Sequence, residues 1–270
     1  MSESKGKRRT GRTTILFLSI LLLIAGLGIL LYPTMNGIWT DWYLRYHAEE
    51  FLSFVRLDPA LPQFSQPEDS HVVILPQETE PEETLPDRYA DLWQDMRKYN
   101  RNLYESGQAN LSDEEAYEIP SFLLSDYGLE SEVFGVLEIP SLDLEMPLYL
   151  GATKKHMADG AAIMSQTSLP IGGSNTNCVI AGHRGWNGAA YFLYIPNLKK
   201  GDIITVTNLW ETLTFQVVDT KIIPPYDVEA IRIQPNRELI TLLTCHPPAT
   251  GGRERFLVFC ERTQTELEVP

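Results

Sequence analysis

The hydrophobic pattern divides the chain into an apolar N-terminal run, a polar middle region and a C-terminal half rich in strand-forming residues. The apolar run, residues 15–32, carries no charged side chain. At about 1.5 Å per residue, a helix of this length approaches the roughly 30 Å hydrocarbon core of a bilayer. The pattern therefore predicts a transmembrane anchor over residues 13–32, preceded by a basic tail of residues 1–12.

The charges on either side of the apolar run predict its orientation. The first charged residue after the run is Asp41, whereas five basic residues precede it: Lys5, Lys7, Arg8, Arg9 and Arg12. Because basic residues are retained on the cytoplasmic side, the tail is expected inside the cell and the rest of the chain outside. A cleaved signal peptide is the alternative, but it usually has an apolar core of about 7–15 residues and a small-residue cleavage site, which LLYPTMNG lacks.

The polar middle region contains two further predicted elements. Residues 33–86 are expected to form a juxtamembrane helix and then an acidic, proline-rich spacer. Residues 87–131 are expected to form an amphipathic helix and then a long surface segment. The helix is indicated by a face with 3–4 spacing, which consists of Tyr89, Trp93, Met96, Asn100 and Leu103.

From residue 132 to residue 270, strand patterns dominate. A short helix is expected only within residues 189–202. Closely spaced strands with few helical inserts predict a mainly β fold that forms a closed or nearly closed barrel. The predicted strands are β-branched or aromatic runs bounded by Gly, Pro, Asn or Asp, at 134–140, 144–151, 176–183, 202–208, 213–223, 239–245 and 255–262.

Charge and cysteine content narrow the function. The net charge of −14 argues against nucleic-acid binding, because no basic surface is left to contact phosphates. An odd number of cysteines outside the cell leaves at least one thiol unpaired, and catalysis is one explanation for a free thiol. Cys178 and Cys260 lie inside apolar strand runs and are expected to be core thiols, whereas Cys245 ends a strand before a Pro/Gly loop.

A cysteine nucleophile needs a base or a cation within reach. Among the five histidines, His183 is the best candidate, because it ends the strand NCVIAGH and is followed by Arg184 and Gly185. His246 adjoins Cys245, but adjacent strand residues point to opposite faces. His156 lies in a charged segment and is expected to be solvated. No C-x-x-C or H-x-x-x-H spacing is present, so no metal or other cofactor is expected.

Four ordered blocks carry a family resemblance. TLLTC, followed by a Pro/Gly loop and an arginine that opens a strand, resembles the signature of the sortases, cysteine transpeptidases of Gram-positive cell surfaces. SLPIGGSNTNCVIAGHRG resembles their histidine block, FGVLEIPSLDLEMPLYLGAT their first two strands, and YFLYIPNLKKGD their helix and following turn. Together these blocks cover roughly residues 134–262 in the family's order.

The resemblance implies an eight-stranded β-barrel and assigns site residues. Cys245 matches the nucleophile, His183 the general acid/base and Arg255 the arginine that positions substrate and stabilises charge, with Arg253 as the rival for the last role. Thr244 is expected to contact substrate. The implied reaction cleaves an LPxTG-like sorting signal through a thioester and transfers the acyl group to an amine.

Within the family, the anchor, the helix carrying YNRNLY and the SLPIGG and TLLTCHP blocks are most similar to class C, the pilin-polymerising sortases. The expected partners are therefore pilins or surface proteins with C-terminal sorting signals, a pilin lysine or cell-wall precursor as amine acceptor, and the bilayer. The class C lid motif Asp-Pro-aromatic is missing between Ser106 and Val133. An altered lid that places Tyr117, Phe122 or Tyr127 in the cleft, or no lid, remains open.

Three other functions compete with pilus assembly. One is a sortase that anchors single surface proteins to peptidoglycan precursor, and the second is a cysteine peptidase that only hydrolyses. The third is a non-catalytic module whose barrel binds a wall component. Papain-like enzymes place the cysteine before the histidine, and caspases need a Q-A-C-x-G block, which TLLTCHP is not.

Overall fold

The computed structural model describes residues 4–57, 89–112, 117–186 and 188–263, with side chains from residue 16 onward. The predicted spacer after residue 57 and part of the predicted surface segment, residues 113–116, lie outside the described residues. Within the described residues there are three α-helices: α1 (Ser4–Leu57), α2 (Ala90–Glu105) and α3 (Lys154–Asp159).

The described strands close into a barrel, which confirms the predicted architecture. Its strands follow the order β1-β2-β3-β4-β7-β8-β6-β5, with β2–β3 and β4–β7 parallel and the other pairs antiparallel. Their bounds are β1 (Val133–Ile139), β2 (Leu144–Leu150), β3 (Ala161–Ile163), β4 (Thr176–Ala181), β5 (Ile203–Thr207), β6 (Thr212–Ile223), β7 (Glu238–His246) and β8 (Glu254–Arg262).

Alternation along the strands separates two packed faces. The interior core includes Ile240 and Leu242 of β7 together with the buried thiols of Cys178 and Cys260. Burial raises the pKa of both thiols, so these cysteines are inert core residues, as predicted. Leu243 of β7, with the opposite parity, packs on the outer face in a second hydrophobic cluster. Cys245 has the same parity as Leu243 and therefore belongs to the outer face.

Helix α1 is one continuous helix rather than an anchor followed by a separate juxtamembrane helix. Its stretch Leu16–Leu57 is long and apolar enough to cross a membrane, and the apolar run within it is exposed. Beyond the run, the helix buries Leu44, Ala48, Phe51 and Val55 in the core that it shares with the barrel. Each large apolar side chain buried in this way contributes about 1.5–3 kcal/mol. This periodic stripe fixes the second half of α1 to the barrel.

The amphipathic helix α2 confirms the predicted pattern. Leu92, Met96, Asn100 and Leu103 are buried, at the 3–4 spacing seen in the sequence. The buried amide of Asn100 donates to the carbonyl of Leu169 and accepts from its N–H, at 2.9 and 2.8 Å. Through these two hydrogen bonds, Asn100 on the apolar face of α2 holds the segment that leads into β4 in place.

Two local predictions were wrong. Instead of the helix expected within residues 189–202, the structure has only a 3-10 turn, Ile195–Asn197, because Pro196 suits the start of a short turn. The segment around His156 forms α3, capped by the Thr153 hydroxyl, and the imidazole is buried rather than solvated. His156 Nδ1 lies 2.9 Å from the carbonyl of Gly151, and its ring stacks on Tyr149.

Candidate active site

Cys245 is the penultimate residue of β7, where the strand leaves the barrel. It is half-buried, and its direct cross-strand neighbour on β8 is Arg255. The register therefore brings together the thiol and the strand-opening arginine predicted from the sequence. Arg253, its rival, precedes β8 and is exposed, and it has no place in the ladder opposite Cys245.

The parallel pairing of β4 and β7 positions His183. Ala181 pairs with Leu243, and one residue further on the N–H of Gly182 donates to the Leu243 carbonyl at 3.0 Å. His183 follows Ala181 by two residues, as Cys245 follows Leu243. Because side chains alternate along a strand, this spacing assigns His183 and Cys245 to the face that carries Ala181 and Leu243. Two segments 62 residues apart thus leave the barrel at the same end.

Thr244 holds this register from the opposite face. Its side chain is 1% exposed, and its hydroxyl donates to the carbonyl of Gly182 at 2.7 Å. This burial argues against the direct substrate contact predicted from the sequence. The side chain ties the cysteine strand to the residue before His183, so its geometry is that of a positioning residue.

Aromatic rings fix the His183 imidazole. Trp186 stacks on it with ring centroids 4.5 Å apart, and Tyr191 meets it edge-on at 6.0 Å. Gly182 is needed here, because a methyl group at this position would lie 2.6 Å from the Phe192 ring. Burial lowers the pKa of His183, so the free imidazole is neutral at neutral pH. A neutral imidazole is able to accept the thiol proton.

Gly252 lies against both the thiol and the guanidinium. A Cβ at Gly252 would be 3.1 Å from Cys245 Sγ and 2.8 Å from Arg255 Nη1. The two atoms are therefore at most about 6 Å apart, within the range at which a cation favours a nearby anion. Arg255 Nη1 also donates to the Gly252 carbonyl at 2.7 Å, which turns the guanidinium toward this loop.

Arg184 is a site residue that the sequence did not identify. Its Nη1 donates to the carbonyl of Cys245 at 3.4 Å, and its guanidinium lies 6.0 Å from the Phe256 ring. Its Nε is buried without a hydrogen-bond partner. Burial lowers the pKa of Arg184, and the charge of Cys245 opposes this shift. The available signal was its position directly after His183, because the opposite parity directs the side chain beneath the strand that carries Cys245.

A cleft of about 240 Å³ adjoins these residues. Arg255 lies in its wall together with Ala181 and Leu243, which share the outer face with His183 and Cys245. Further apolar lining comes from Met164, Ile223 and Ile231. An apolar floor with a guanidinium in its wall suits an extended peptide with at least one apolar side chain.

Of the three aromatic residues proposed for a lid, only Tyr117 lines the cleft. Its backbone carbonyl accepts from the N–H of Ala152 at 2.9 Å, and its hydroxyl donates to the Leu111 carbonyl. Phe122 instead packs edge-on against Tyr99 at 5.7 Å and lies 6.3 Å from Tyr127, away from the cleft. Of the three aromatic residues, Tyr117 is therefore the one placed to limit access.

Comparisons with known proteins agree with this geometry. The family model of the sortase domain matches residues 137–263. Three solved structures of sortases C are similar to the chain. Sortase C-1 from Streptococcus pneumoniae is 32% identical with a TM-score of 0.57, over 67% of this chain and 93% of that one. The pilus-related sortase C of Group B Streptococcus is 29% identical with a TM-score of 0.53, over 64% of this chain and 91% of that one.

The third structure is Clostridium perfringens sortase C with the C-terminal cell wall sorting motif, 30% identical with a TM-score of 0.50, over 65% of this chain and 91% of that one. Four curated sortases are 28 to 31% identical, and the chain spans 53 to 63% of their length. The family model lies over the barrel, and the similar structures are covered almost completely. The chain belongs to the sortase family.

Proposed function

We propose that the protein is a membrane-anchored cysteine transpeptidase that cleaves an LPxTG-like sorting signal and transfers the acyl group to an amine. The observation that carries the proposal is the convergence of three separate segments at one end of the cleft. Cys245 faces Arg255 across the β7–β8 ladder. His183 follows the parallel strand β4 and comes two residues after Ala181, just as Cys245 comes two residues after Leu243, the partner of Ala181.

The acylation step follows from these positions. His183 takes the proton of Cys245, and the thiolate attacks the threonine carbonyl of the signal. The carbon–sulfur bond forms, the carbon–nitrogen bond breaks, and the imidazolium returns its proton to the leaving amine. Arg255, with backbone N–H groups near Cys245, stabilises the oxyanion that develops in between.

Transfer to an amine reverses the roles. A neutral amine attacks the thioester, His183 accepts the proton that the amine loses, the carbon–sulfur bond breaks, and the leaving Cys245 thiolate takes that proton from the imidazolium. Trp186 and Tyr191 pack against the imidazole, which holds this base in one orientation for both steps.

The substrate class is supported by the cleft and by a neighbour. The apolar floor around Ala181 and Leu243 suits the leucine and proline of a sorting signal. The C. perfringens sortase C was solved with the C-terminal cell wall sorting motif. We therefore expect pilins or other surface proteins that bear such signals to be the acyl donors.

A pilin lysine is the proposed acceptor, because sortases C, among them one described as pilus-related, are among the similar structures. The curated relatives named sortase A favour anchoring to a wall precursor as the second candidate. A laddered covalent polymer in wall extracts supports pilus assembly, whereas a monomer linked only to peptidoglycan supports anchoring.

We also propose that the apolar run of α1 crosses the membrane, with the basic tail in the cytoplasm and the barrel outside. The exposed apolar side chains along this run support a lipid environment. Resistance to alkaline extraction, with protease access to the barrel in intact cells, is the expected behaviour. Release at alkaline pH would contradict it.

The catalytic proposal is tested with full-length protein in detergent, an LPxTG peptide and a lysine-containing acceptor. The expected product is a peptide–acceptor amide, and hydrolysis alone, whatever the acceptor, would favour a peptidase. Cys245→Ala should abolish labelling by a substrate-mimic thiol probe. Cys178→Ala, which removes a buried core thiol, is the matched control and should retain labelling.

A further inference from the structure

The segment after His183 contacts helix α1 backbone to backbone. We call residues 184–186 and 188–190 the histidine loop. A Cβ added to Gly188 would lie 2.3 Å from the carbonyl oxygen of Pro33, and a Cβ on Gly37 would lie 2.4 Å from the carbonyl oxygen of Gly188. Only glycine at both positions allows this approach, and Gly188 has a φ of +85°, which favours glycine in any case. The loop is therefore held at one level of α1, between Pro33 and Gly37.

This level is the end of the apolar run. Pro33 is the first residue after residues 15–32, and Gly37 lies about 6 Å further along the helix at 1.5 Å per residue. The interfacial layer outside the hydrocarbon core is about 5–8 Å thick on each side. If the run crosses the membrane, the histidine loop lies in the headgroup layer.

The other contacts of α1 place the rest of the barrel further from the membrane. Arg45 contacts Asp143 at the β1–β2 turn, 2.7 Å from its carbonyl and 3.0 Å from its carboxylate. Phe51 and Val55 are buried in the core still further along. Of these contacts, the one with the histidine loop lies nearest to the apolar run.

Aromatic side chains at this end are open to solvent. Trp186 is 42% exposed although one of its faces stacks on His183, and Trp39 on α1 is 64% exposed. Tyr194, which follows the histidine loop, is 51% exposed. Tryptophan and tyrosine are the residues that settle at a membrane–water interface, because an apolar ring there carries a polar group.

We propose that the end of the barrel that carries His183 rests on the outer surface of the bilayer, with Trp186 in the headgroup layer. This rests on the proposed membrane crossing of α1. The occupant of the exposed aromatic surface is then lipid, because the surface is continuous with the apolar run through the contact between Gly37 and Gly188. His183, the base that accepts the proton of the acceptor amine, would then be separated from the lipid surface by one aromatic ring, that of Trp186.

The test uses full-length protein in vesicles of phosphatidylcholine and phosphatidylglycerol, with and without lipids brominated near the headgroup. Bromine quenches tryptophan fluorescence on contact. The intensity lost to bromine should fall in Trp186→Phe relative to the native protein. The intensity lost to bromine should be unchanged in Trp210→Phe, the matched control, because Trp210 is buried. Trp210 also lies at the other end of β4, since the carboxylate of its neighbour Glu211 is near Gly172.

A second variant tests the contact itself. Gly37→Val should separate the loop from α1 and reduce quenching of Trp186 while leaving the protein resistant to alkaline extraction. Two results together would overturn this inference and leave the anchor proposal intact. Bromine would quench the native protein and Trp186→Phe equally, and iodide in the water would quench Trp186. Protection of Trp186 that disappears on dilution of protein into lipid would assign the surface to a second copy and overturn it as well. Extraction at alkaline pH would instead refute the anchor proposal on which the inference rests.

Discussion

At the scale of single residues, the candidate site depends on how closely the loop before β8 approaches Cys245 and Arg255. Gly252 leaves no room for a side chain between the thiol and the guanidinium, whereas Gly251 has open space around it. Both glycines have left-handed φ values, +74° and +71°. Substitution of Gly251 therefore measures the cost of backbone strain alone, and substitution of Gly252 adds the cost of disturbing Cys245 and Arg255.

Gly252→Ala is expected to lower transpeptidation at least ten-fold, because the methyl group pushes the Arg255 guanidinium away from the thiol. Both Gly252→Ala and Gly251→Ala should lose about 1–2 kcal/mol of unfolding free energy, because alanine is strained at these φ values. Steady-state rates and urea denaturation check the two effects. Equal loss of activity in both variants would show that the contact with Arg255 has no catalytic importance.

A second prediction at this scale concerns Arg184. Its Nη1 donates to the Cys245 carbonyl, so Arg184→Met should loosen the end of β7 and slow transpeptidation by roughly three- to ten-fold. Arg184→Lys retains a donor and should restore part of the rate. An unchanged transpeptidation rate in Arg184→Met would show that this bond does not position Cys245.

The burial of His183 predicts the pH dependence of the transfer step. Because burial lowers its pKa, the neutral base persists to lower pH than in an exposed histidine, whose ordinary value is about 6.5. The acid limb of the rate profile should therefore have its midpoint below 6.5. Trp186→Ala removes the stacked ring and should move the midpoint upward. A midpoint above 6.5 in the native protein would contradict this assignment of the base.

At the scale of elements, the parallel pair β4–β7 aligns the histidine and cysteine. Their alignment depends on the Gly182 N–H bond to Leu243 and on the Thr244 hydroxyl bond to Gly182. Both bonds lie just before His183 and Cys245, where the strands leave the barrel. The pairing of β4 with β7 in the core therefore determines the spacing of His183 and Cys245 at the rim of the barrel.

Thr244→Val should cost about 1–2 kcal/mol of unfolding free energy, because it leaves the buried carbonyl of Gly182 without its donor. It should also lower kcat with little change in KM, whereas Thr244→Ser should behave like the native protein. A rise in KM with unchanged stability would instead support the substrate contact predicted from the sequence.

At the scale of the whole molecule, the sequence predicted what depends on local pattern. Alternation and turn residues identified seven of the strands, and the apolar runs distinguished the core thiols from Cys245. The pattern missed β3, because three residues, Ala161–Ile163, are too few to show a period. The eighth strand was expected only from the family resemblance.

Features that depend on contacts between distant segments were not predictable in this way. The burial of His156 results from α3 folding onto β2, and the role of Thr244 results from the pairing with β4. The contact of Gly37 with Gly188 joins residues 151 positions apart, and no local signal in either segment indicates it. Tertiary packing determined these features.

The central claim is that Cys245 carries the acyl group, and intact mass followed by peptide mapping tests it most directly. Full-length protein mixed with an LPxTG peptide should gain the mass of the acyl fragment on the peptide that contains Cys245. The adduct should disappear, with formation of an amide, when the amine acceptor is added. His183→Ala should form no adduct. Cleavage of the peptide with the adduct on another residue, or with none in a rapidly quenched sample, would contradict the account.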